Sequence, residues 1–228
     1  VVASIYRYRR RKRSIVSAIV DEVLDASPDR VSPPCPYYGP CSGCQWQHID
    51  YPFQLSLKQD AVQQQLDRYA ELRHVSVLPT RPSPQLFNYR NHARFSVRAQ
   101  GFLGFSNRIT RRFVRIDECM LMDPGINDAL GVLQGECRET TSISVRYGVN
   151  TGDRLIQPTL HSPEISVASG QTHYRETLLG RSFRVASPSF FQVNSPQAAA
   201  LINLAREELN LTRDSLLVDA YAGVGTFA

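Results

Sequence analysis

The first part of the chain mixes apolar, β-branched and polar positions in a way that is typical of β-strands. The segment VVASIYRYRRRKRSIVSAIVDEVL combines β-branched residues with arginine, and its second half, SIVSAIVDEVL, is apolar enough to be half buried. We interpret residues 1–26 as the end of a small β-barrel. The segment that follows, ASPDRVSPPCP, carries four prolines and no periodicity, which indicates a linker and a domain boundary near residue 30.

Helical periodicity appears twice. Residues 52–70 predict an amphipathic helix whose apolar face is Leu55, Val62, Leu66 and Tyr69, with the remaining positions polar: Lys58, Gln59, Gln63, Gln64 and Asp67. A second helix is predicted to begin at Ser195 as N-cap, with Pro196 in the first helical position. Its apolar face is Ala198, Leu201, Ile202, Ala205 and Leu209.

The middle and the end of the chain predict further strands. HARFSVRAQGFLGFS, RRFVRIDEC and SISVRYGVN are separated by Gly, Asn and Asp turns, so the middle is mixed α and β. The last segment, SLLVDAYAGVGTFA, predicts a buried strand, LLVDA, then a glycine turn and a helix. Because one strand cannot complete a doubly wound sheet, we expect a fragment cut inside a nucleotide-binding domain.

Composition and charge narrow the classes of protein. The 228 residues, 42% of them apolar, suffice for packed cores, and we find neither an apolar run of membrane-spanning length nor a cleavable leader. We therefore expect a cytoplasmic protein that does not bind membranes. We also expect a monomer.

The basic residues are unevenly distributed over a chain whose net charge is +5. RYRRRKR and RITRRFVR concentrate guanidinium groups that can bind phosphates, which favours a nucleic-acid partner. A solvated face is the alternative, and because every basic residue except Lys12 and Lys58 is arginine, base composition of the gene could explain part of the excess. The two clusters comprise Arg7, Arg9, Arg10, Arg11, Lys12 and Arg13, and Arg108, Arg111, Arg112 and Arg115.

The five cysteines suggest a metal site. An odd count with uneven spacing argues against a secreted disulfide framework. CPYYGPCSGC supplies Cys35, Cys41 and Cys44 as three ligands, and the fourth would be Cys119 or Cys137, although either could be an inert buried thiol. Thiolate ligation suits zinc or an iron–sulfur cluster. A radical enzyme that uses S-adenosylmethionine is a further alternative, which is less favoured because such enzymes show a tighter three-cysteine spacing.

The terminal motif DAYAGVG has the composition of a cofactor loop. Gly223 and Gly225 allow a tight turn and close backbone approach after a strand, although an ordinary strand-to-helix turn is an equally simple explanation. The motif lacks the third glycine of a dinucleotide fingerprint. Its spacing, Asp-x-x-x-Gly-x-Gly, resembles the first motif of class I methyltransferases, in which the turn holds S-adenosylmethionine.

These pieces in order resemble one family. The three clustered cysteines, Cys119 75 positions later, SFFQVN and DAYAGVGTF are similar to the iron–sulfur branch of the RNA uracil-5-methyltransferases, which modify ribosomal RNA. SPDRVSPPCPYYGPCSGCQWQHIDYPFQLSLKQ, FNYRNHARFSV and DECMLMDPGIN are similar to the family at the corresponding places. The resemblance covers nearly the whole chain and identifies 23S ribosomal RNA as the expected substrate.

The resemblance implies a set of site residues. Cys35, Cys41, Cys44 and Cys119 would hold a [4Fe-4S] cluster and leave Cys137 as the spare thiol. Contacts to S-adenosylmethionine would come from Gln192, Tyr221 and Thr226, with the turn glycines Gly223 and Gly225. The family commonly has Pro where this chain has Met120, and often Asn where it has Thr226.

The resemblance also implies three segments. Residues 1–26 would be the end of an OB-like TRAM barrel that binds RNA through the RYRRRKR run, residues 30–185 an iron–sulfur domain, and residues 186–228 the start of a Rossmann-like methyltransferase domain. The fold class is thus α+β with several domains. The helix near residues 52–70 would pack on the methyltransferase domain.

The chemistry requires groups that the family places beyond the glycine loop. Uracil C5 is a poor nucleophile, so a thiolate adds at C6 and a general base later removes the C5 proton. The target base must also be unstacked from the RNA. We expect neither the nucleophile nor the base in this chain, and expect the chain alone to be inactive. The alternative is a non-catalytic, zinc- or cluster-containing RNA-binding module.

Overall fold

The protein is described here by a computed structural model that covers residues 1–10 and 14–227. It forms two compact units: Val1–Pro34 with Gln45–Thr80, and Cys35–Cys44 with Arg81–Ala228. Both helices and strands are present, which confirms the mixed α and β character. These units differ from the three segments predicted above, whose boundaries stay a prediction. No helix in the described ranges is long and apolar enough to cross a membrane.

The first unit begins with an antiparallel hairpin. The strand character predicted here is confirmed, and the strands are β1 (Val2–Arg10) and β2 (Ser14–Glu22). The expected half burial of the second strand is wrong, because Val16 and Val20 are 53% and 54% exposed. Among the described residues the hairpin pairs with no third strand, and apolar side chains on it such as Ile5 and Ile19 are exposed.

The helix of the first unit partly buries two residues of the predicted face, Leu55 and Leu66, but leaves Val62 and Tyr69 exposed. Helix α1 (Tyr51–Leu66) ends before the predicted limit, a short 3₁₀ turn follows at Ala70–Leu72, and Val62 is 52% exposed. The side chain of Gln63 donates to Val75 O (3.0 Å) and accepts from Val77 N (2.9 Å). Gln59 Nε2 adds a bond to Val77 O, and Gln54 Nε2 bonds Trp46 O and Ile49 O. Glutamine amides can satisfy backbone groups of irregular chain, so these polar side chains contribute contacts in addition to the partly buried leucines.

The second unit is built on a five-stranded antiparallel sheet. Its strand order is β5-β4-β3-β6-β7, and it confirms the strands predicted in the middle of the chain. Inward residues alternate along β3, where Phe95 and Val97 are buried, so apolar side chains collect on one face. A 3₁₀ turn at Ala99–Gly101 joins β3 to β4. The strands are β3 (His92–Arg98), β4 (Phe102–Ser106), β5 (Phe113–Arg115), β6 (Ser142–Tyr147) and β7 (Arg154–Gln157).

Helix α2 (Pro124–Leu133) packs in the same core as this sheet and was not predicted. Asp123 is its N-cap, accepting a hydrogen bond from Gly125 N (2.8 Å), and Pro124 follows in the first turn. Four apolar residues at helical spacing are fully buried: Ile126, Ala129, Leu130 and Leu133. Both the cap and the spacing were present in the sequence DPGINDALGVL.

A second core cluster lies where a hairpin meets the last helix. Strands β8 (His173–Leu178) and β9 (Arg181–Ala186) pair antiparallel, and helix α3 (Ser195–Leu209) confirms the second predicted helix. The predicted cap is wrong by one residue, because the side chain of Asn194 accepts from Gln197 N (3.0 Å). Ser195 instead turns its hydroxyl into a buried network.

The predicted strand LLVDA is also wrong. Residues 216–220 form no ladder with any described strand, and Leu216 and Val218 are 91% and 76% exposed. A strand of this apolar type is stable only between neighbouring strands that satisfy its backbone and cover its faces. The described residues supply no such neighbour.

Candidate functional site

The three clustered cysteines lie on one compact turn, here called the cysteine loop (residues 35–44). Tyr38 N donates to Cys35 O (3.0 Å) and Cys41 N donates to Tyr37 O (2.8 Å). Gly39 between them has φ +96°, a left-handed conformation that side chains other than hydrogen rarely adopt. The cysteine loop therefore has a turn conformation that its own backbone hydrogen bonds hold.

The cysteine loop is attached to the segment that carries Cys119. Tyr37 OH donates to Asp117 Oδ2 (3.4 Å) and accepts from Asp117 N (3.2 Å). The backbone of Cys119 is held in turn by Asn127 of α2, which accepts from Cys119 N (3.0 Å) and donates to Cys119 O (3.2 Å). These bonds bring the distant fourth cysteine to the loop.

The surroundings of Cys119 disfavour its thiolate form. Burial raises the pKa of the Cys119 thiol, Cys44 and Cys35 add to the rise, and backbone N–H groups oppose it. Cys119 and Cys41 both pack against the main core cluster. Across residues 1–10 and 14–227, no group of three or more His, Cys, Asp or Glu side chains is arranged to hold a metal ion. The assignment of the four cysteines as ligands stays a prediction.

Cys137 has the environment of an inert core thiol. It is fully buried, its S–H donates to Leu133 O (3.4 Å), and burial raises its pKa to about 11. A thiol with such a pKa is almost entirely protonated near neutral pH, and the protonated form is a poor nucleophile and ligand.

A loop of the second unit presents Gln192, and we call residues 187–194 the Gln192 loop. Asn91, which is 1% exposed, donates its backbone N–H to Val193 O (3.0 Å) and its side-chain amide to Gln192 O (3.0 Å). Arg146 Nη1 also donates to Ser189 O (2.6 Å). The Gln192 side chain is partly exposed and forms no hydrogen bond to a described residue. The backbone is thus fixed while the amide is available to a ligand.

A buried polar network supports this loop from beneath. Asn91 Nδ2 also donates to Ser195 Oγ (3.0 Å), and Ser195 Oγ donates to Glu176 Oε2 (3.1 Å). The fully buried Glu176 carboxylate accepts three backbone N–H bonds, from Val149, Asn150 and Thr177 (2.8 to 3.1 Å). Sequence reasoning missed this network, because its members are far apart along the chain and follow no motif.

The glycine loop, residues 219–226, adopts the tight turn that its composition predicts. Gly223 and Gly225 have φ +57° and +80°, and Gly225 N donates to Ala222 O (2.8 Å). Tyr221 N donates to Asp219 Oδ1 (3.1 Å), while the Tyr221 side chain is 96% exposed.

The structure brings the glycine loop and the Gln192 loop to one core cluster. Val224 of the glycine loop packs against the cluster that contains Phe191, the neighbour of Gln192. Thr226 is partly exposed on the same loop. The contacts predicted for these residues with S-adenosylmethionine are not tested by this geometry and stay predictions.

The predicted RNA-binding run is described only in part. Arg7 is exposed on β1, and the backbone of Arg9 and Arg10 continues that strand. The rest of the run, Arg11, Lys12 and Arg13, lies outside the described residues. Its role stays a prediction.

Curated relatives of this chain carry RNA methyltransferase names. An uncharacterized RNA methyltransferase of Synechocystis sp. is 30% identical over 95% of this chain and 58% of its own length. One of Gloeobacter violaceus is 28% identical over 91% of this chain and 57% of its own length. The chain therefore spans somewhat more than half of these relatives. No family model matches it.

A solved structure shares the fold. The tRNA (uracil-54, C5)-methyltransferase of Pyrococcus abyssi, determined in complex with S-adenosyl-L-homocysteine, matches with a TM-score of 0.70 and 22% sequence identity. The match covers 99% of this chain and 62% of that one. The mixed α/β fold of this chain is thus that of part of a methyltransferase structure.

Proposed function

We propose that this chain is part of an enzyme that transfers a methyl group from S-adenosylmethionine to C5 of a uridine in RNA, with 23S ribosomal RNA as substrate. The names of the relatives support the methyltransferase class, and the uracil-C5 specificity of the structural neighbour supports the target atom. The ribosomal substrate rests on the resemblance of the cysteine pattern alone. The cytoplasmic address and the monomeric state remain predictions.

The observation that carries the proposal is that Gln192 has a fixed backbone and an unbonded side-chain amide. Its backbone carbonyl is held by a buried asparagine, whereas its amide forms no bond within the described chain. Because the backbone is already fixed, binding a ligand through this amide costs the rotamer freedom of the side chain but no further ordering of the loop. The glycine loop adds the exposed ring of Tyr221 and a turn at Gly223 and Gly225 that allows close approach of the backbone. This loop packs against the same core cluster as Phe191.

The roles of the chain's residues follow from what the reaction requires. S-adenosylmethionine supplies an electrophilic methyl group when bound. Gln192, Tyr221 and Thr226 would bind and orient it, and the Gly223–Gly225 turn would let the backbone lie against it. A thiolate must add at uracil C6 to make C5 nucleophilic. We assign that role to no cysteine of this chain, because Cys137 is buried and protonated and the other four are proposed as metal ligands.

We further propose that Cys35, Cys41, Cys44 and Cys119 hold a [4Fe-4S] cluster. The donor set is entirely thiolate, which suits such a cluster, and the cysteine loop is fastened beside Cys119 through Tyr37. A cluster with four protein ligands would join residues far apart in sequence, and methyl transfer needs no electron. Its role would therefore be structural.

Iron and sulfide analysis after anaerobic purification tests the cluster. We expect about four iron atoms per chain and a broad absorption near ~400 nm, lost in Cys119→Ser and retained in the matched variant Cys137→Ser. Stoichiometric zinc without colour would replace this proposal with a zinc-dependent RNA-binding module. A protein free of both metals would contradict both assignments.

Cofactor binding tests the proposed function itself. Calorimetric titration of the chain with S-adenosyl-L-homocysteine should show binding that Gln192→Ala weakens about tenfold, the value of one lost hydrogen bond of roughly 1.4 kcal/mol. Gln65→Ala, an exposed glutamine on α1, is the matched control and should leave the affinity unchanged. Equal affinities for wild type and Gln192→Ala would exclude the assigned role of Gln192.

A further inference from the structure

The turn between β4 and β5 concentrates positive charge in three arginines. We call residues 107–112 the arginine hairpin. Its backbone closes through Asn107 N to Arg112 O (2.8 Å) and Arg111 N to Asn107 O (3.0 Å). Arg108, Arg111 and Arg112 are exposed, and in the part of the chain that the structure describes none of the three forms an ion pair.

The shape of the arginine hairpin is set by side-chain hydrogen bonds. Asn107 Oδ1 accepts from both Ile109 N and Thr110 N (2.9 Å each), an Asx turn that orders the tip. Thr110 Oγ1 accepts a further bond from Arg112 N (3.3 Å). The three guanidinium groups therefore project from a turn whose conformation is held by side-chain hydrogen bonds.

The cysteine loop forms hydrogen bonds with the arginine hairpin. Asn107 Nδ2 donates to Pro40 O (2.8 Å), and Arg108 N donates to Ser42 Oγ (2.8 Å). Pro40 and Ser42 flank Cys41. The fold of the cysteine loop thus determines where the arginine hairpin stands.

The hairpin places an arginine where the backbone disfavours one. Arg111 has φ +60°, a left-handed conformation that costs a residue with a Cβ about 1–2 kcal/mol. Three like charges within one turn also repel each other. Strain and repulsion held at an exposed site are typical of a segment that serves binding.

Arg115, three residues beyond the hairpin, provides a contrast. Its Nε pairs with Asp117 Oδ1 (2.9 Å), and its guanidinium stacks 4.5 Å from the centroid of Phe102. Its charge is therefore neutralised and its side chain is engaged within the protein. The unneutralised charge belongs to the hairpin alone among these four arginines.

We propose that the arginine hairpin is an RNA-phosphate contact surface, positioned by the cysteine loop and made of other arginines than those of the RYRRRKR run. Guanidinium groups bind phosphate oxygens through paired N–H bonds and release condensed counterions. Ile109 is the only apolar side chain of the hairpin, too little for the apolar centre of a protein interface. The proposal deepens the proposed function, since it specifies how the same RNA substrate is held.

The expected size of the effect follows from counterion release. Three phosphate contacts contribute a slope of roughly 2 in the logarithmic dependence of affinity on salt, at ~0.7 per contact for single strands. Their loss lowers the affinity about a hundredfold near 0.1 M salt when the affinities are taken to converge near 1 M. This is large enough to separate from the effect of net charge alone.

The test is fluorescence anisotropy with a labelled uridine-containing stem–loop RNA, titrated at several salt concentrations. The triple variant Arg108→Gln, Arg111→Gln, Arg112→Gln should bind about a hundredfold more weakly with a shallower salt dependence. The matched control Arg138→Gln, Arg181→Gln, Arg213→Gln removes the same charge from other exposed positions and should change affinity less than tenfold. Equal losses in the two triple variants would overturn the proposal.

A second pair of variants tests the hydrogen bonds to the cysteine loop without altering charge. Asn107→Ala removes the Asx turn and the bond to Pro40, and Ser42→Ala removes the bond to Arg108. Both should weaken RNA binding several-fold with an unchanged circular dichroism spectrum, and unchanged binding in both would contradict the positioning by the cysteine loop. Titration with S-adenosyl-L-homocysteine separates this proposal from the proposed function. If the wild-type chain does not bind this ligand, the methyltransferase proposal is contradicted. The RNA-contact proposal is still supported in that case if the triple arginine variant loses RNA binding.

Discussion

Replacing Glu176 with glutamine should destabilise the second unit substantially, because its carboxylate is the centre of a buried network. The side chain is fully buried and accepts four hydrogen bonds. Oε1 accepts from Asn150 N and Thr177 N, and Oε2 accepts from Val149 N and Ser195 Oγ. All four partners act as donors, so the site is built for an acceptor on both sides.

The magnitude follows from which of these bonds an amide can keep. In its better orientation the glutamine oxygen replaces Oε1 and keeps both bonds there, while its NH₂ group faces Val149 N–H and the Ser195 hydroxyl. The hydroxyl can turn to accept, but Val149 N–H is left facing a donor. Losing a bond to a charged acceptor and leaving one buried N–H unpaired costs about 3 kcal/mol in total.

A competing effect has the opposite sign. Burying a carboxylate costs desolvation free energy, and a neutral isostere avoids that cost. Four bonds of 2.9, 3.1, 2.8 and 3.1 Å offset it in the native protein, and we expect their loss to exceed the relief.

Urea denaturation followed by circular dichroism measures the outcome. With a urea dependence of about 2 kcal/mol per molar, a loss of about 3 kcal/mol moves the midpoint down by roughly 1.5 M. Glu207→Gln, an exposed glutamate on α3, is the control and should stay within about 0.5 kcal/mol of wild type. A Glu176→Gln midpoint equal to or above that of the control would refute the reasoning.

Two further predictions concern the main sheet. Gln134→Ala should lower the free energy of unfolding by about 2 kcal/mol in the same urea assay, because the Gln134 amide pairs with Leu103 N, Leu103 O and Ile116 O. An unchanged free energy of unfolding would contradict the importance of these bonds. Burial, with nearby arginines, lowers the pKa of His92 from its ordinary 6.5 to about 4, so the unfolded state binds the proton first. Stability should therefore decline as pH falls from about 6.5 to about 4, and His92→Gln should flatten that decline in unfolding measured across the range; an identical pH profile would exclude His92 as its source.

Sequence patterns predicted the elements whose residues act locally. Alternation over 92–98 and 142–147 identified strands, and the helix that follows the Gln192 loop was identified from its proline and its apolar spacing. The glycine turn also followed from composition, because left-handed backbone angles at Gly223 and Gly225 are a local requirement. These features depend on neighbours a few residues away.

Features that depend on distant partners were not predictable in this way. The strand expected over LLVDA fails because a buried strand needs neighbours that the described chain does not supply. The sequence does not predict the contacts of Gln59 and Gln63, since nothing in their spacing shows that the backbone at Val75 and Val77 needs partners. The bond from Asn91 to Ser195 spans 104 residues and carries no sequence signature.

The most direct test of the central claim is the modification state of RNA in cells. Mass spectrometry of ribosomal and transfer RNA from the source organism should show loss of a 5-methyluridine from 23S ribosomal RNA when the gene is deleted. The gene should restore it, and the same gene with Gln192→Ala should restore it poorly. Loss from transfer RNA alone would contradict the ribosomal substrate, and an unchanged 5-methyluridine content in all RNA would contradict the proposed activity.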